Sequence, residues 1–372
     1  MMKIFGKNYS KTALRKRIGN MDQVAGIRMV AFDDGNERPA RAALFHTGSG
    51  LEFTVLLDRG MDIASASYEG KALGWRSTTG NVAPQYFEPE GIRWLRSYFG
   101  GLVTTCGLSR VGSPGPDSAL QGDGLHGRIS HIPARDIQVS QRWEGNRYLL
   151  SVTGLMRETS VFGENLTLLR TVSTELGATS FHIHDRVCNE GFNKTPLSLL
   201  YHCNIGWPAV DAGSKMLAPS LALAPRDEEA EKGMESWNLM DGPRHQYREK
   251  CYYHDMAADR KGFVTVAMIN DAFPDKGFGI YIRYNKKELP RFVQWKQLGE
   301  QVYVCGFEPC NCGIEGREKD EALGLLDILK AGETREFNLE FGAFSTQAEL
   351  DAIRASIPET SPALKDSYTE LL

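Results

Sequence analysis

The amino-acid sequence predicts an all-β fold, a large and mainly antiparallel β-sandwich with a few short helices. Short segments that alternate apolar with polar residues, or are apolar throughout, recur along the chain. They are rich in β-branched and aromatic residues and are bounded by Gly, Asn, Asp and Pro, which is typical of strands. Helical periodicity is brief, and the predicted strands do not alternate regularly with helices. This pattern disfavours a doubly wound parallel sheet.

The predicted strands are taken in chain order, and each rests on this period-two or apolar pattern. They lie at 24–32, 51–57, 147–155, 164–174, 179–187, 196–203, 263–270, 278–284, 291–297, 301–307 and 334–344. Helices are predicted at 8–17, 90–98, 226–237 and 346–355. The last helix starts with a capping box, because Thr346 is a good N-cap residue and Glu349 follows three positions later.

The chain is predicted to be one domain over residues 1–372, with an N-terminal extension at 1–20 and an irregular excursion at 209–260. Large β architectures exceed the usual domain length without a second core, and no composition shift marks an internal linker. The Gly/Pro/Ser-rich segment 107–124 is long for a loop inside a compact domain. Such loops are either disordered or functional, and we interpret this one as functional because it leads directly into the segment LHGR at 125–128.

Composition and charge argue for an ordinary soluble protein without nucleic-acid or membrane partners. Hydrophobic residues make up 41% and charged residues 24% of the chain, which is typical of globular proteins. The net charge of −4 gives no electrostatic reason to bind nucleic acid or an anionic membrane. No apolar segment reaches the ~20 residues that span a bilayer, and the basic N-terminus lacks the apolar core of a secretory signal. We therefore expect a cytoplasmic protein.

The sequence offers no support for a cofactor or a metal ion. It contains no Walker loop, no G-x-G-x-x-G, no H-E-x-x-H and no G-x-S-x-G segment. Cys305, Cys310 and Cys312 are not spaced as in common zinc sites, and His182 and His184 lack a third ligand at a suitable spacing. The seven cysteines are therefore expected to be reduced packing residues.

Three residues are the main candidates for chemistry, and each also has a purely structural interpretation. His202 lies where an apolar strand meets a loop, in YHCNIGWP, and could instead be a satisfied core histidine. Glu308 follows an apolar strand in GFEPC; it is either a solvated strand end or a base whose pKa burial would raise. His126 lies between glycines in GLHGR, where the backbone can approach a ligand closely, or where the histidine is simply exposed in a turn.

Three further residues are secondary candidates for binding a substrate. Arg59 follows another apolar strand in the segment LLDRGMDI, and an arginine fork suits sugar oxygens, although a charged turn is usually a solvated one. Trp295 and Lys296, in VQWKQ, would offer a stacking face and a hydrogen-bond donor. The alternative is a core tryptophan followed by an exposed lysine.

Taken together, the segments LLDRGMDI, GLHGR, YHCNIGWP and GFEP, in this order, resemble the aldose 1-epimerase (galactose mutarotase) superfamily and its uncharacterised aldose-epimerase-like branch. The resemblance covers most of the chain and implies a galactose mutarotase-like β-supersandwich with a sugar cleft on its concave face. It implies that His202 is the general acid, that Glu308 is the general base and that His126 binds the sugar near the reacting centre. Galactose mutarotases carry arginines in their first conserved segment, whereas 98–103 contains none here, so Arg59 or Arg110 would have to substitute.

The function that this resemblance implies is interconversion of the anomers of a free or modified monosaccharide by general acid/base catalysis. The expected partner is a small sugar, no cofactor is needed, and a homodimer is compatible with the sequence. Two alternatives stay open: a non-catalytic carbohydrate-binding or sensing protein, and another carbohydrate-active enzyme, such as a lyase, on the same fold.

Overall fold

The structure is a computed structural model that describes residues 2–115, 124–273 and 277–371. Part of the predicted functional loop, 116–123, lies outside the described residues. The first strands are β1 (Met2–Ile4), β2 (Lys7–Tyr9), β3 (Gly26–Ala31), β4 (Arg41–His46), β5 (Leu51–Leu56), β6 (Asp62–Tyr68), β7 (Lys71–Ala72), β8 (Trp75–Arg76), β9 (Gly100–Gly101) and β10 (Val103–Leu108). The middle strands are β11 (Arg135–Glu144), β12 (Arg147–Thr159), β13 (Asn165–Glu175), β14 (Ser180–Asn189), β15 (Thr195–Pro196), β16 (Ser198–Gly206), β17 (Lys215–Leu217) and β18 (Ser220–Pro225). The last strands are β19 (Lys250–Met256), β20 (Phe263–Asn270), β21 (Phe278–Asn285), β22 (Arg291–Leu298), β23 (Tyr303–Cys310), β24 (Ile328–Leu329), β25 (Thr334–Phe344) and β26 (Ala363–Leu364).

Helices are short and lie between or beside the strands. The α-helices are α1 (Lys11–Arg15), α2 (Glu228–Glu231), α3 (Arg317–Ala322) and α4 (Gln347–Ser356). Single 3₁₀ turns occur at Met21–Gln23, Gly35–Glu37, Pro84–Tyr86, Arg93–Ser97, Ile129–His131, Met234–Ser236 and Tyr368–Leu371. The capping box predicted for α4 is confirmed, because Thr346 and Glu349 exchange side-chain to backbone hydrogen bonds.

Two large sheets contain most of the described strands. The larger sheet has the order β26-β18-β19-β22-β23-β16-β10-β6-β5-β4-β3, with β7 paired to β6, and the smaller sheet has the order β11-β12-β13-β14-β25-β21-β20-β17. Among the described strands, all neighbours are antiparallel except β18 and β26. The predicted antiparallel β-sandwich is confirmed.

The main core lies between the two sheets, and each sheet contributes alternate residues to it. On β14, Phe181, Ile183 and Val187 are buried in this core, whereas His182 and Arg186 on the opposite face are exposed. This is the period-two pattern from which the strand is predicted. The smaller sheet thus packs one face on the core and presents the other to solvent.

The two central strands of the larger sheet are covered on both faces. Every residue of β16 and of β23 is buried. On β16, Tyr201 and Cys203 belong to the core between the sheets, whereas Leu200 packs in a second cluster on the outer face. This second cover of the larger sheet is what places polar side chains of β16 and β23 in a low-dielectric environment.

Four segments differ from the prediction. The helix predicted at 90–98 is a 3₁₀ turn at Arg93–Ser97, and the helix predicted at 226–237 is reduced to α2 and a 3₁₀ turn at Met234–Ser236. Residues 209–260, predicted as an irregular excursion, contain β17, β18 and β19, and the last two extend the larger sheet. These strands are short and are separated by polar residues, so the hydrophobic pattern of 209–260 does not predict them. The predicted helix at 8–17 is also only partly correct, since residues 7–9 form β2 of a hairpin and the helix covers Lys11–Arg15.

Candidate active site

His202 and Glu308 are cross-strand neighbours on β16 and β23. The register that pairs Leu200 with Cys310 and Cys203 with Phe307 places these two side chains opposite each other on the outer face of the larger sheet. His202 Nε2 lies 3.3 Å from Glu308 Oε1, and the two side chains are only 8% and 3% exposed. The structure therefore brings together two of the residues that the sequence singles out, although they are more than a hundred positions apart.

Aromatic rings enclose this pair. The imidazole of His202 lies 5.5 Å from the ring of Tyr98 and 5.3 Å from that of Trp295, between ring centroids. Trp94 stacks on Tyr98 at 4.6 Å, and Trp75 lies 6.0 Å from Tyr98. These rings exclude water from the pair, and their faces are the kind of surface on which the apolar side of a sugar ring packs.

Gly306 makes room for the Glu308 carboxyl group. A Cβ atom at this position would lie 2.7 Å from Glu308 Oε1 and 3.0 Å from the Cβ of Trp295. Any larger side chain would therefore push the carboxyl group away from His202. This close contact explains why the segment GFEP has a glycine at position 306.

Burial moves the pKa values of the pair in opposite directions. Burial raises the pKa of Glu308 to about 8, with the nearby Glu249 adding to the rise and Arg226 opposing it. Burial, followed by the proximity of His126, lowers the pKa of His202 to about 3. Both shifts favour the neutral forms, because a charge is costly where neither water nor a counter-ion stabilises it.

Glu308 Oε1 has no hydrogen-bond partner among the described residues, although it is buried. The 3.3 Å contact with His202 Nε2 is longer than a good charge-assisted hydrogen bond. An unpaired buried polar atom is costly, and such atoms are often ones that a ligand or a water molecule satisfies.

His126 reaches the same site from the loop that follows residue 123. Its ring centroid lies 5.9 Å from that of His202 and 5.0 Å from that of Trp94. Its backbone has a positive φ of 59°, and its Nδ1 accepts a hydrogen bond from the backbone N–H of Gly112 at 3.4 Å. Burial lowers the pKa of His126 to about 4, so that its Nε2–H is available as a neutral donor.

Gly127 is required for this placement of His126. Its φ is +71°, and a Cβ would lie 2.5 Å from the carbonyl oxygen of Gly107 and 2.6 Å from that of Arg110. The second glycine of GLHGR is therefore explained by close backbone packing.

Trp295 and Lys296 do not share a face of β22. Trp295 is partly exposed on the outer face of the larger sheet, where its Nε1–H donates to Glu249 Oε2 at 2.8 Å. Lys296 points to the opposite face, is buried, and its Nζ donates to the carbonyl oxygens of Ser236 at 2.8 Å and Leu239 at 2.5 Å. The structure thus places Trp295 in the site and does not bring Lys296 to it, because successive strand residues point in opposite directions.

Arg59 also does not reach the site. It is fully buried, and its guanidinium donates to the backbone carbonyls of Val82, Ser97 and Ser130. Burial lowers its pKa to about 10. The predicted sugar contact is therefore replaced by a structural role in which Arg59 joins three segments of the chain.

Arg110, the other candidate to replace the missing arginine, pairs with Glu318 through its Nη1 at 3.0 Å from Oε1. Another carboxylate, Glu315, accepts a hydrogen bond from the hydroxyl group of Tyr253 at 3.4 Å, and Tyr253 packs in the same cluster as Trp295. Glu308, and not Glu315, lies opposite His202 in the strand register.

Sequence reasoning missed the residues that surround and orient the pair. Tyr98 and Trp94 lie in a segment predicted only as a helix, and Arg226 lies in the segment predicted as irregular. Arg226 Nη2 donates to Glu249 Oε1 at 3.0 Å, and Glu249 in turn holds the indole of Trp295. No local pattern identifies these residues, since their contacts join distant parts of the chain.

Residues 2–115, 124–273 and 277–371 contain neither a candidate metal site nor a membrane-spanning helix. In these ranges no group of three or more His, Cys, Asp or Glu residues is placed to hold a metal ion, and no helix is long and apolar enough to cross a membrane. All seven cysteines are free, and all except Cys188 are buried.

Comparisons with known proteins support the fold. A family model described as a domain of unknown function, DUF4432, matches residues 37–343. No curated protein matches the chain. The crystal structure of a Klebsiella pneumoniae protein, provisionally named an aldose 1-epimerase, has a TM-score of 0.86 at 24% identity, covering 94% of this chain and 93% of that one.

Two other solved structures are similar at lower identity. A galactose mutarotase-like protein from Clostridium acetobutylicum has a TM-score of 0.57 at 13% identity, covering 87% of this chain and 100% of its own. The galactose 1-epimerase of Lactobacillus acidophilus has a TM-score of 0.57 at 12% identity, covering 87% and 99%. At these identities the similarity establishes the fold alone, which is that of the galactose mutarotase-like proteins, as the sequence predicts.

Proposed function

The chain belongs to the DUF4432 family, and we propose that it is an aldose 1-epimerase-like enzyme, which interconverts the anomers of a free or modified monosaccharide without a cofactor. The observation that carries this proposal is the contact of His202 Nε2 with Glu308 Oε1 at 3.3 Å inside an aromatic enclosure. The names of structurally similar proteins from Klebsiella pneumoniae and Lactobacillus acidophilus support the same reaction class.

The reaction needs two proton transfers at neighbouring oxygens. A cyclic sugar opens when a proton is delivered to the ring oxygen and another is removed from the anomeric hydroxyl group. The free aldehyde then rotates about the adjacent carbon–carbon bond, and closure on the other face inverts the anomeric centre. The two oxygens are bonded to the same carbon, so an acid and a base that are in contact with each other suit both transfers.

The pair can supply one acid and one base near neutral pH. Since the pKa of Glu308 is about 8 and that of His202 about 3, the pair holds one proton across this range. Such a pair has both a group that gives a proton and a group that takes one, as the reaction requires. His126 would donate its Nε2–H to a sugar oxygen, and Trp295 would pack against the ring.

The proposal is tested by measuring anomer exchange over a panel of free and modified monosaccharides, by exchange NMR or polarimetry. We expect the native protein to accelerate exchange of at least one sugar, and His202→Ala and Glu308→Gln each to lose ~10²–10⁴-fold of that rate. Tyr252→Phe is a matched control, because the hydroxyl group of Tyr252 is buried, has no partner among the described residues and lies outside the site.

Other outcomes of the same experiment favour the alternatives. Measurable sugar affinity without acceleration would indicate a binding or sensing protein. Cleavage of an oligosaccharide to an unsaturated product would indicate a lyase. Full exchange activity in both His202→Ala and Glu308→Gln would rule out acid/base catalysis by this pair.

A further inference from the structure

We propose that Tyr98 and Asn204 are positioning residues that keep His202 as the neutral tautomer with a bare Nε2, so that Glu308 carries the single proton of the pair. This inference deepens the proposed function and rests on it only for its catalytic consequence. The placement of the proton itself follows from hydrogen bonds on the buried side of His202.

Asn204 has a defined orientation. Its Nδ2 donates to the carbonyl oxygen of His202 at 3.0 Å and to that of Gly100 at 3.3 Å. Because both partners are acceptors, the nitrogen of the amide must lie on that side and its oxygen must face the other way. Asn204 Oδ1 therefore faces the hydroxyl group of Tyr98, at 2.6 Å.

Tyr98 transmits this orientation to His202. A phenol has a single hydrogen, and Tyr98 donates it to Asn204 Oδ1. Toward His202 Nδ1, 3.3 Å away, the hydroxyl group can therefore only accept a hydrogen bond. Nδ1 must carry a hydrogen, which excludes the neutral tautomer that is protonated on Nε2.

Two arrangements of the shared proton remain: on Nε2, as an imidazolium facing a carboxylate, or on Glu308, as a carboxylic acid facing a bare nitrogen. A buried ion pair is stable only when further hydrogen bonds satisfy the carboxylate. Glu308 Oε1 receives none from the described residues, and the His126 ring beside His202 offers no negative charge. The neutral arrangement is therefore favoured, and the pKa directions of both groups agree with it.

The consequence is that the two roles are opposite to those implied by the sequence resemblance. Glu308 gives its proton to the ring oxygen while His202 Nε2 takes the proton of the anomeric hydroxyl group. The electrons of the bond between the anomeric carbon and the ring oxygen stay on the ring oxygen, and the second carbon–oxygen bond becomes a carbonyl. The pair is left as carboxylate and imidazolium, and closure on the other face returns both protons.

The pH profile cannot separate the two assignments, because both contain one proton per pair. The test is ¹⁵N NMR of the full-length protein with labelled histidine at neutral pH, in which a bare ring nitrogen and an N–H resonate far apart. The chain has eight histidines, and His202 is identified by the signals that disappear in His202→Gln. We expect an N–H signal for Nδ1 and a bare signal for Nε2.

Tyr98→Phe tests the positioning role, because it keeps the ring that stacks on Trp94 and removes only the hydroxyl group. We expect His202 to shift toward a mixture of tautomers, and kcat for anomer exchange to fall ~10-fold or more with little change in KM, as when a tautomer-holding group is removed. Tyr252→Phe should change neither measurement.

Three results would overturn the inference: two N–H signals for His202 at neutral pH, a lone N–H on Nε2, or an unchanged tautomer in Tyr98→Phe. If the tautomer is as expected but no sugar exchanges, the placement of the proton stands and the proposed function fails. The two proposals can therefore fail separately.

Discussion

Replacing Glu308 with glutamine should stabilise the protein, and the gain should grow as the pH rises. The folded protein binds the Glu308 proton up to a pH of about 8, whereas an unfolded glutamate releases it near 4.5. Between these values the folded state holds more protons than the unfolded state, so the stability of the native protein falls with rising pH. Glutamine has a similar shape and no proton to lose, so Glu308→Gln escapes this loss.

The size of the effect follows from the interval between the two pKa values. An interval from 4.5 to about 8, at about 1.4 kcal/mol per pH unit, gives a ceiling on the order of 5 kcal/mol. With about 2.1 cal/mol/K of unfolding entropy per residue over 372 residues, this corresponds to a rise in Tm of about 6 °C.

The measurement is the Tm of the native protein and of Glu308→Gln by calorimetry, in steps from pH 5 to pH 9. The difference between them should widen up to about pH 8 and then level off. Glu52→Gln is the matched control for the substitution itself, because Glu52 is an exposed glutamate on β5. A constant difference for Glu308→Gln over the whole range would show that Glu308 is ionised in the folded protein at neutral pH, and would refute the reasoning.

Three further predictions concern the site and its surroundings. Anomer exchange should be constant from pH 5 to pH 7 and fall as the pH rises through about 8, because the pair then loses its proton; a rate that is unchanged up to pH 10 would contradict this. Gly306→Ala should abolish exchange by displacing the Glu308 carboxyl group. Gly19→Ala should have no effect on rates, because no atom of the described residues lies within 4 Å of its added Cβ; equal rates in both variants would contradict the packing argument. Arg59→Lys should cost on the order of 2–4 kcal/mol of stability, since lysine cannot reach all the carbonyls that Arg59 bonds, and should leave the KM for sugar unchanged; a raised KM in a protein of native stability would restore the sugar contact.

The strands that could be predicted from the sequence are those in which the pattern of apolar and polar residues shows which side chains are buried. Residues 263–270 and 334–344 match β20 and β25 at both ends, because their side chains alternate between core and solvent or are apolar throughout. By contrast, β18 and β19 were not predicted, because they lie in a segment that is polar overall. Their place in the sheet is determined by the neighbouring strands and not by their own composition. Propensity and periodicity are local, whereas an edge of a sheet is defined by distant partners.

The candidate site shows the same division. His202, Glu308 and His126 were singled out from short segments and their order in the chain. The predicted strand ends were wrong, because His202 lies within β16 and Glu308 within β23. The face of Lys296 could also have been predicted, since it adjoins Trp295 on a strand and the two must point in opposite directions. The role of Arg59 could not, because the carbonyls that it bonds, from Val82 to Ser130, are scattered along the chain.

The protonation state of the His202–Glu308 pair depends more on the aromatic residues that bury it than on the identity of its two residues. A histidine and a glutamate opposite each other on an exposed sheet face would form an ordinary ion pair, with the proton on the histidine. Here Tyr98, Trp94 and Trp75, all from the segment 75–98, close the outer face of β16 and β23 and make charge costly. The same segment supplies the hydroxyl group that orients the His202 ring. One irregular stretch of chain thus both removes water from the pair and selects the nitrogen that faces Glu308, which explains why a rigid sheet and a close-fitting cover are both needed for the site.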